Sequence, residues 1–102
     1  MRIAARVDKN QNSIVEALRS IGVSVRITSM VGKGFGDIVC GVMTPGGCRM
    51  NYIFEIKDGS KPPSQQLLTP QERAFFDSWK GQIDIIRSAD EAVQFVSRVK
   101  IG

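Results

Sequence analysis

The sequence predicts a mixed four-stranded β-sheet with helices packed on it, an α/β or α+β fold in the order α-β-β-β-α-β-α. Three observations predict it. Apolar residues recur at helical spacing in three stretches, short runs rich in β-branched residues lie between them, and turns containing Gly or Pro separate the pieces. Residues 9–21 read as the first helix, because Ile14, Val15, Leu18 and Ile21 fall at helical spacing and Gly22 stops the run. Residues 23–30 (VSVRITSM) read as the first strand. A glycine-rich turn, Val31-Gly32-Lys33-Gly34-Phe35-Gly36, leads into a mostly apolar second strand at 37–43 (DIVCGVM). A Pro-Gly-Gly turn over 44–49 leads to the third strand, 51–57 (NYIFEIK). Strands this close in sequence pair most simply as a meander.

The longest polar connector spans 58–68 and contains Gly59, Pro62 and Pro63. Thr69 then caps a second helix, Pro70 suits its first position, and Glu72 completes a capping box. Phe75, Phe76 and Trp79 read first as its packing residues, and Gly81 ends it. Residues 82–87 (QIDIIR) read as the fourth strand. Ser88 and Glu91 form a second capping box, which opens a helix carrying Ala92, Val93, Val96 and Val99.

The 102 residues suffice for one domain spanning 1–102, with 42% hydrophobic and 24% charged residues, a globular composition. Fourteen Lys+Arg against ten Asp+Glu leave a net charge of +4, which fits a polyanionic partner and equally a plain basic protein. No apolar run reaches the length of a membrane span, so no membrane association is expected. The opening residues MRIAARVDKNQ lack the apolar core of a secretion signal. Cys40 lies in an apolar run and Cys48 follows a turn, so no disulfide framework is expected and the cytoplasm is the expected compartment. With no histidine and two cysteines, zinc fingers and Ser-His-Asp or Cys-His catalysis are excluded.

Chemistry concentrates at Glu55-Ile56-Lys57. Alternation puts Glu55 and Lys57 on one face of the third strand, with Tyr52, Phe54 and Ile56 on the other. A carboxylate and an amine on a central strand are costly to bury unless paired or bound. Asp37 begins the antiparallel neighbour, so it can meet Glu55 and Lys57 at one end of the sheet. Two carboxylates beside a lysine suit a hard divalent cation, which binds through one or two carboxylates, waters and a phosphate oxygen. Such an ion polarises the phosphate and acidifies water, and Lys57 offsets transition-state charge. Acid-x-Lys at a strand end also serves as a solvated ion pair, and Asp after a glycine turn is ordinary turn chemistry.

Gly34-Phe35-Gly36-Asp37-Ile38-Val39, followed by Phe54-Glu55-Ile56-Lys57 and by Leu68-Thr69-Pro70-Gln71 at the second helix, resembles the PD-(D/E)XK nuclease superfamily. More narrowly, the chain is similar to the virus-type replication-repair nuclease (VRR-NUC) family, whose small stand-alone members occur in bacteriophages. The likeness covers nearly the whole chain. It implies an α/β restriction-endonuclease-like core, with Asp37, Glu55 and the main-chain carbonyl of Ile56 as ligands for Mg²⁺ or Mn²⁺, and Lys57 as the catalytic lysine. It implies a metal-dependent endonuclease acting on DNA, on structured or branched duplexes such as Holliday junctions or flaps, working as a homodimer. A viral member would act in the host cytoplasm.

Relatives often carry a glutamate on the first helix where this chain has Gln11, which binds water or metal weakly and brings no charge. Gln11 shares the face of Ile14, Val15 and Leu18, whereas Glu16 should face solvent. Glycine stands at position 36, where proline is frequent. The Gly32-x-Gly34-x-Gly36 spacing matches no nucleotide-cofactor loop, so no nucleotide cofactor is expected. The turn reads either as a close approach to a DNA phosphate, with Lys33 and Ser29 contacting the strand, or as a hairpin turn with an exposed lysine. Gln71 can reach a phosphate near the helix N-terminus or serve only as a helix-start amide. Arg26, Lys61 and Arg73 are further phosphate-contact candidates. A non-catalytic DNA-binding module of the same fold is the alternative function.

Overall fold

A computed structural model describes residues 9–101. The order is α1 (Gln11–Ser20), β1 (Ser24–Ile27), β2 (Ile38–Met43), β3 (Arg49–Ile56), a 3₁₀ turn (Pro63–Gln65), α2 (Pro70–Ser78), β4 (Ile83–Ile86) and α3 (Ala89–Ile101). The strands form one mixed sheet in the order β1-β2-β3-β4, flanked by the helices, an α/β arrangement. β1, β2 and β3 form the expected antiparallel meander, and β4 joins β3 in parallel after the α2 crossover.

β3 is the most buried strand, and period-two alternation explains its sequence. Tyr52, Phe54 and Ile56 point into the core, where α1 contributes Ile14, Val15 and Leu18 and α3 contributes Ala92 and Val96. Phe95 of α3 meets the Tyr52 and Phe54 rings edge-on, each at 5.1 Å. Burying each large apolar side chain here contributes about 1.5–3 kcal/mol. Asn10 precedes α1 without capping it. Its amide instead donates to the carbonyls of Lys57 and Arg87, tying the start of α1 to the ends of β3 and β4.

Several expectations need correction. The first strand is shorter than 23–30. Thr28 turns inward, its N–H donating to Asp37 O and its hydroxyl to Gly36 O, which closes the glycine-rich turn. α2 has its full capping box at Thr69 and Glu72 but stops at Ser78, because Trp79 takes an extended conformation. None of its residues is buried, and Trp79 is 44% exposed, so its aromatics are not core residues. Phe75 and Trp79 instead form a ring cluster with Phe35 from the glycine turn, centroids 5.1 Å apart for Phe35–Phe75 and for Phe75–Trp79. The second capping box is only half formed. Ser88 accepts from Glu91 N–H, but the Glu91 carboxylate accepts from Arg87 N–H, drawn toward the Arg87 guanidinium 3.7 Å away.

Both cysteines are free; burial pushes the Cys40 thiol up to about 12, so it is an unreactive packing group. Among the described residues no helix is long and apolar enough to cross a membrane.

Candidate active site

The β2–β3 register pairs Ile38 with Phe54, and one step further along it sets Asp37 opposite Glu55. Asp37 N–H donates to Phe54 O, extending the ladder past the last paired residue of β2. Its carboxylate then accepts from Ile56 N–H at 2.7 Å, so the side chain replaces the strand that β3 lacks there. This bond also fixes where the carboxylate lies. Ile56, expected to lend its carbonyl, has its side chain in the core and its N–H on Asp37.

Glu55 is 4% exposed. Burial, followed by the adjacent Asp37 carboxylate, pushes its carboxyl from 4.5 up to about 10, with hydrogen bonds to Asp37 and Glu72 adding to the rise. The neutral form of Glu55 is thus favoured, in a run of three neighbouring carboxyl groups, Asp37, Glu55 and Glu72. Lys57 Nζ lies 3.9 Å from Glu55 Oε2 and 2.8 Å from Glu72 Oε1. Sequence reasoning placed Asp37, Glu55 and Lys57 together, and the structure does so.

Glu72 is the site residue that sequence reasoning missed. It was read only as a capping residue, and it is one, since Oε1 accepts from Thr69 N–H at 2.9 Å. The same oxygen accepts from Lys57. Burial opposes its charge, but hydrogen bonds from Lys57, Thr69 N–H and the Glu55 carboxyl outweigh that and hold its carboxyl below the ordinary value. The capping-box spacing was the only sequence signal, and it carries no information about which strand the helix covers.

Gln11 is 3% exposed and faces this end of the sheet, while Glu16 is exposed as expected. Gln11 Oε1 accepts from the Ser29 hydroxyl at 3.0 Å, and that hydroxyl also lies 3.3 Å from Asp37 O. Gln11 thus braces Asp37 through Ser29. Ser29, half-buried, spends its hydroxyl on these internal contacts.

The glycine turn serves the protein first. Gly34 has φ +80°, and a Cβ there would sit 2.3 Å from the Gln71 carbonyl oxygen. A Cβ on Gly36 would meet the Ile53 side chain at the same distance, so the space that glycine leaves is filled by α2 and β3. Lys33, at the tip with φ 56°, is exposed. Gln71 is exposed at the start of α2. Arg73 pairs with Asp77 at 3.2 Å, which offsets its charge. Arg26 is exposed on β1 in one cross-strand row with Val39 and Ile53. Lys61 is exposed in the connector before α2.

The donor set can be tested against Mg²⁺ or Mn²⁺. Among the described residues no three His, Cys, Asp or Glu side chains are arranged to hold a metal ion. Two adjacent hard-oxygen donors, Asp37 and Glu55, are nevertheless available, and the acids crowd until one keeps its proton. A water-rich cation site with few protein ligands fits such a pair; a tight protein cage does not. Comparison with models of known protein families, with curated proteins and with solved structures finds no match.

Proposed function

We propose that this protein is a divalent-metal-dependent endonuclease that hydrolyses DNA phosphodiester bonds, a small VRR-NUC-type member of the PD-(D/E)XK superfamily. On this reading it acts on structured or branched duplexes, as a homodimer, in the cytoplasm. The observation that carries the reading is the convergence of Asp37, Glu55 and Lys57 at one end of the sheet, with Asp37 oriented by Ile56 N–H. Asp37, Glu55 and the Ile56 carbonyl would hold Mg²⁺ or Mn²⁺, which supplies Lewis-acid polarisation of the phosphate and a more acidic water. Glu55 would hold the cation as the carboxylate, its charge then balanced by the ion. Lys57 offsets the negative charge that builds on the phosphate oxygens. To do so it leaves Glu72, with which it is paired at 2.8 Å. Gln11 keeps Asp37 in place through Ser29.

The Lys57–Glu72 pair and the uncharged Gln11 favour a second reading, a DNA-binding module that keeps the fold without cutting. One experiment separates the two. Junction, flap and linear DNA are incubated with the protein in Mg²⁺, Mn²⁺ or EDTA, alongside Asp37→Ala and Lys57→Ala. Cutting that needs metal and is lost in both variants supports the nuclease. Binding without metal-dependent cutting supports the module.

A further inference from the structure

The outer face of β3 continues away from Glu55 through Ile53 and Asn51 to Arg49, and beside it lies a depression of about 820 Å³. Phe35, Val39, Met50, Ile53, Trp79 and Gln82 contribute to its lining, together with Arg49, Lys80, Asn51 and Gly81. Two of these residues are cations and none is an acid. Trp79 is held there rather than merely exposed. Phe75 stacks against it with an interplanar angle of 28°, and Phe35 meets it edge-on at 6.4 Å. A Cβ on Gly81 would lie 2.7 Å from its indole nitrogen, so only glycine lets the backbone pass this close. With 44% of Trp79 exposed, a fixed aromatic surface is left next to Arg49 and Lys80.

We propose that this depression binds an unpaired stretch of DNA, one base stacking on Trp79 and the neighbouring phosphates resting on Arg49 and Lys80. A pre-positioned ring flanked by cations is the arrangement that holds single strands regardless of sequence. At about 3.3 Å per residue, Asn51 and Glu55 are roughly 13 Å apart on the same face of β3. An unpaired strand in the depression would therefore lie roughly 13 Å along β3 from Glu55. This rests on the nuclease reading for its consequence: the preferred substrate carries a single-stranded arm or gap beside the cut, as in a flap, rather than an uninterrupted duplex.

Trp79 is the only tryptophan in the chain, so its fluorescence reports on the depression directly. The full chain, in EDTA and low salt, is titrated with oligo(dT) and with a blunt duplex of equal length. Saturable quenching by oligo(dT) at concentrations where the duplex quenches little supports the proposal. Trp79→Ala should weaken oligo(dT) binding, followed by anisotropy of a labelled strand, about tenfold. Arg49→Ala and Lys80→Ala, both at exposed positions, should each reduce the slope of log affinity against log salt by about 0.7. Quenching without any metal-dependent cutting leaves the depression assigned and removes the nuclease reading. Metal-dependent cutting with unchanged Trp79 emission, and with an Arg49→Ala/Lys80→Ala variant that cuts flap and blunt duplex in the wild-type ratio, overturns the proposal alone. An emission shift with protein concentration in the absence of DNA assigns the depression to a second copy of the chain and also overturns it.

Discussion

On its inner face β3 presents Tyr52, Phe54 and Ile56 to α1 and α3, and none of the three is more than 8% exposed. On its outer face the same strand presents Ile53 and Glu55, and the helix over that side, α2, buries none of its own residues. The inner layer is held by many apolar contacts that act in parallel. The outer layer is held by a ring stack, the approach of Gly34 to the Gln71 carbonyl, and the Lys57–Glu72 pair. Alternation along one strand thus gives an inner row that is wholly apolar and an outer row in which the buried Ile53 is followed by the buried Glu55 carboxyl. Buried carboxyl groups side by side are poor stabilisers, and that cost is what the proposed metal site would offset.

The sharpest way to break this contrast is to make the same deletion on both faces. Phe54→Ala should destabilise by about 3–5 kcal/mol, read in urea denaturation, and leave little folded protein at 37 °C. Phe75→Ala, in the outer ring stack, should cost only about 1–2 kcal/mol. Equal losses would show that α2 is as integral as the inner helices. Lys57→Ala is the opposite case: on the nuclease reading cleavage falls about 10²–10³-fold, while the lost ion pair with Glu72 costs only about 1 kcal/mol.

Glu55 tests the claim that the outer face trades stability for chemistry. Its folded value, about 10, lies above its ordinary 4.5, so the folded state holds a proton that the unfolded state releases. That contribution is complete below pH 4.5 and is lost as pH rises towards 10. In metal-free buffer, melting temperature should therefore fall across the neutral and alkaline range. Glu55→Gln should flatten the slope and raise the melting temperature near pH 8 above that of wild type, and on the nuclease reading abolish cleavage. A slope that persists in Glu55→Gln would place the titrating group elsewhere. The smallest effect belongs to Glu72→Gln, which should cost about 1 kcal/mol through the weakened cap and the lost ion pair. If Glu72 restrains Lys57, cleavage by this variant should equal or exceed wild type.

The strand meander, the Thr69 capping box and the meeting of Asp37, Glu55 and Lys57 were legible because each follows from local rules: alternation, cap spacing and antiparallel adjacency. What stayed hidden depends on how α2 lies on the sheet. Nothing in the spacing of Glu72 shows that it covers Lys57, because docking is decided by Phe35 and Gly34 on a different segment. For the same reason the glycine turn read equally as a phosphate approach or a plain hairpin turn, and spacing alone did not show that Gly34 makes room for the Gln71 carbonyl. Trp79 was read as a packing residue because its spacing fits a helical face, yet the helix ends one residue earlier and leaves it exposed.

The most direct test of the paired carboxylates is a titration of the protein with Mn²⁺ at pH 8, followed by electron paramagnetic resonance of the free ion. Wild type should take up Mn²⁺, and Asp37→Asn and Glu55→Gln, with their folds intact, should each lose that uptake. Equal Mn²⁺ binding by all three proteins, or none by wild type at millimolar ion, would contradict the account.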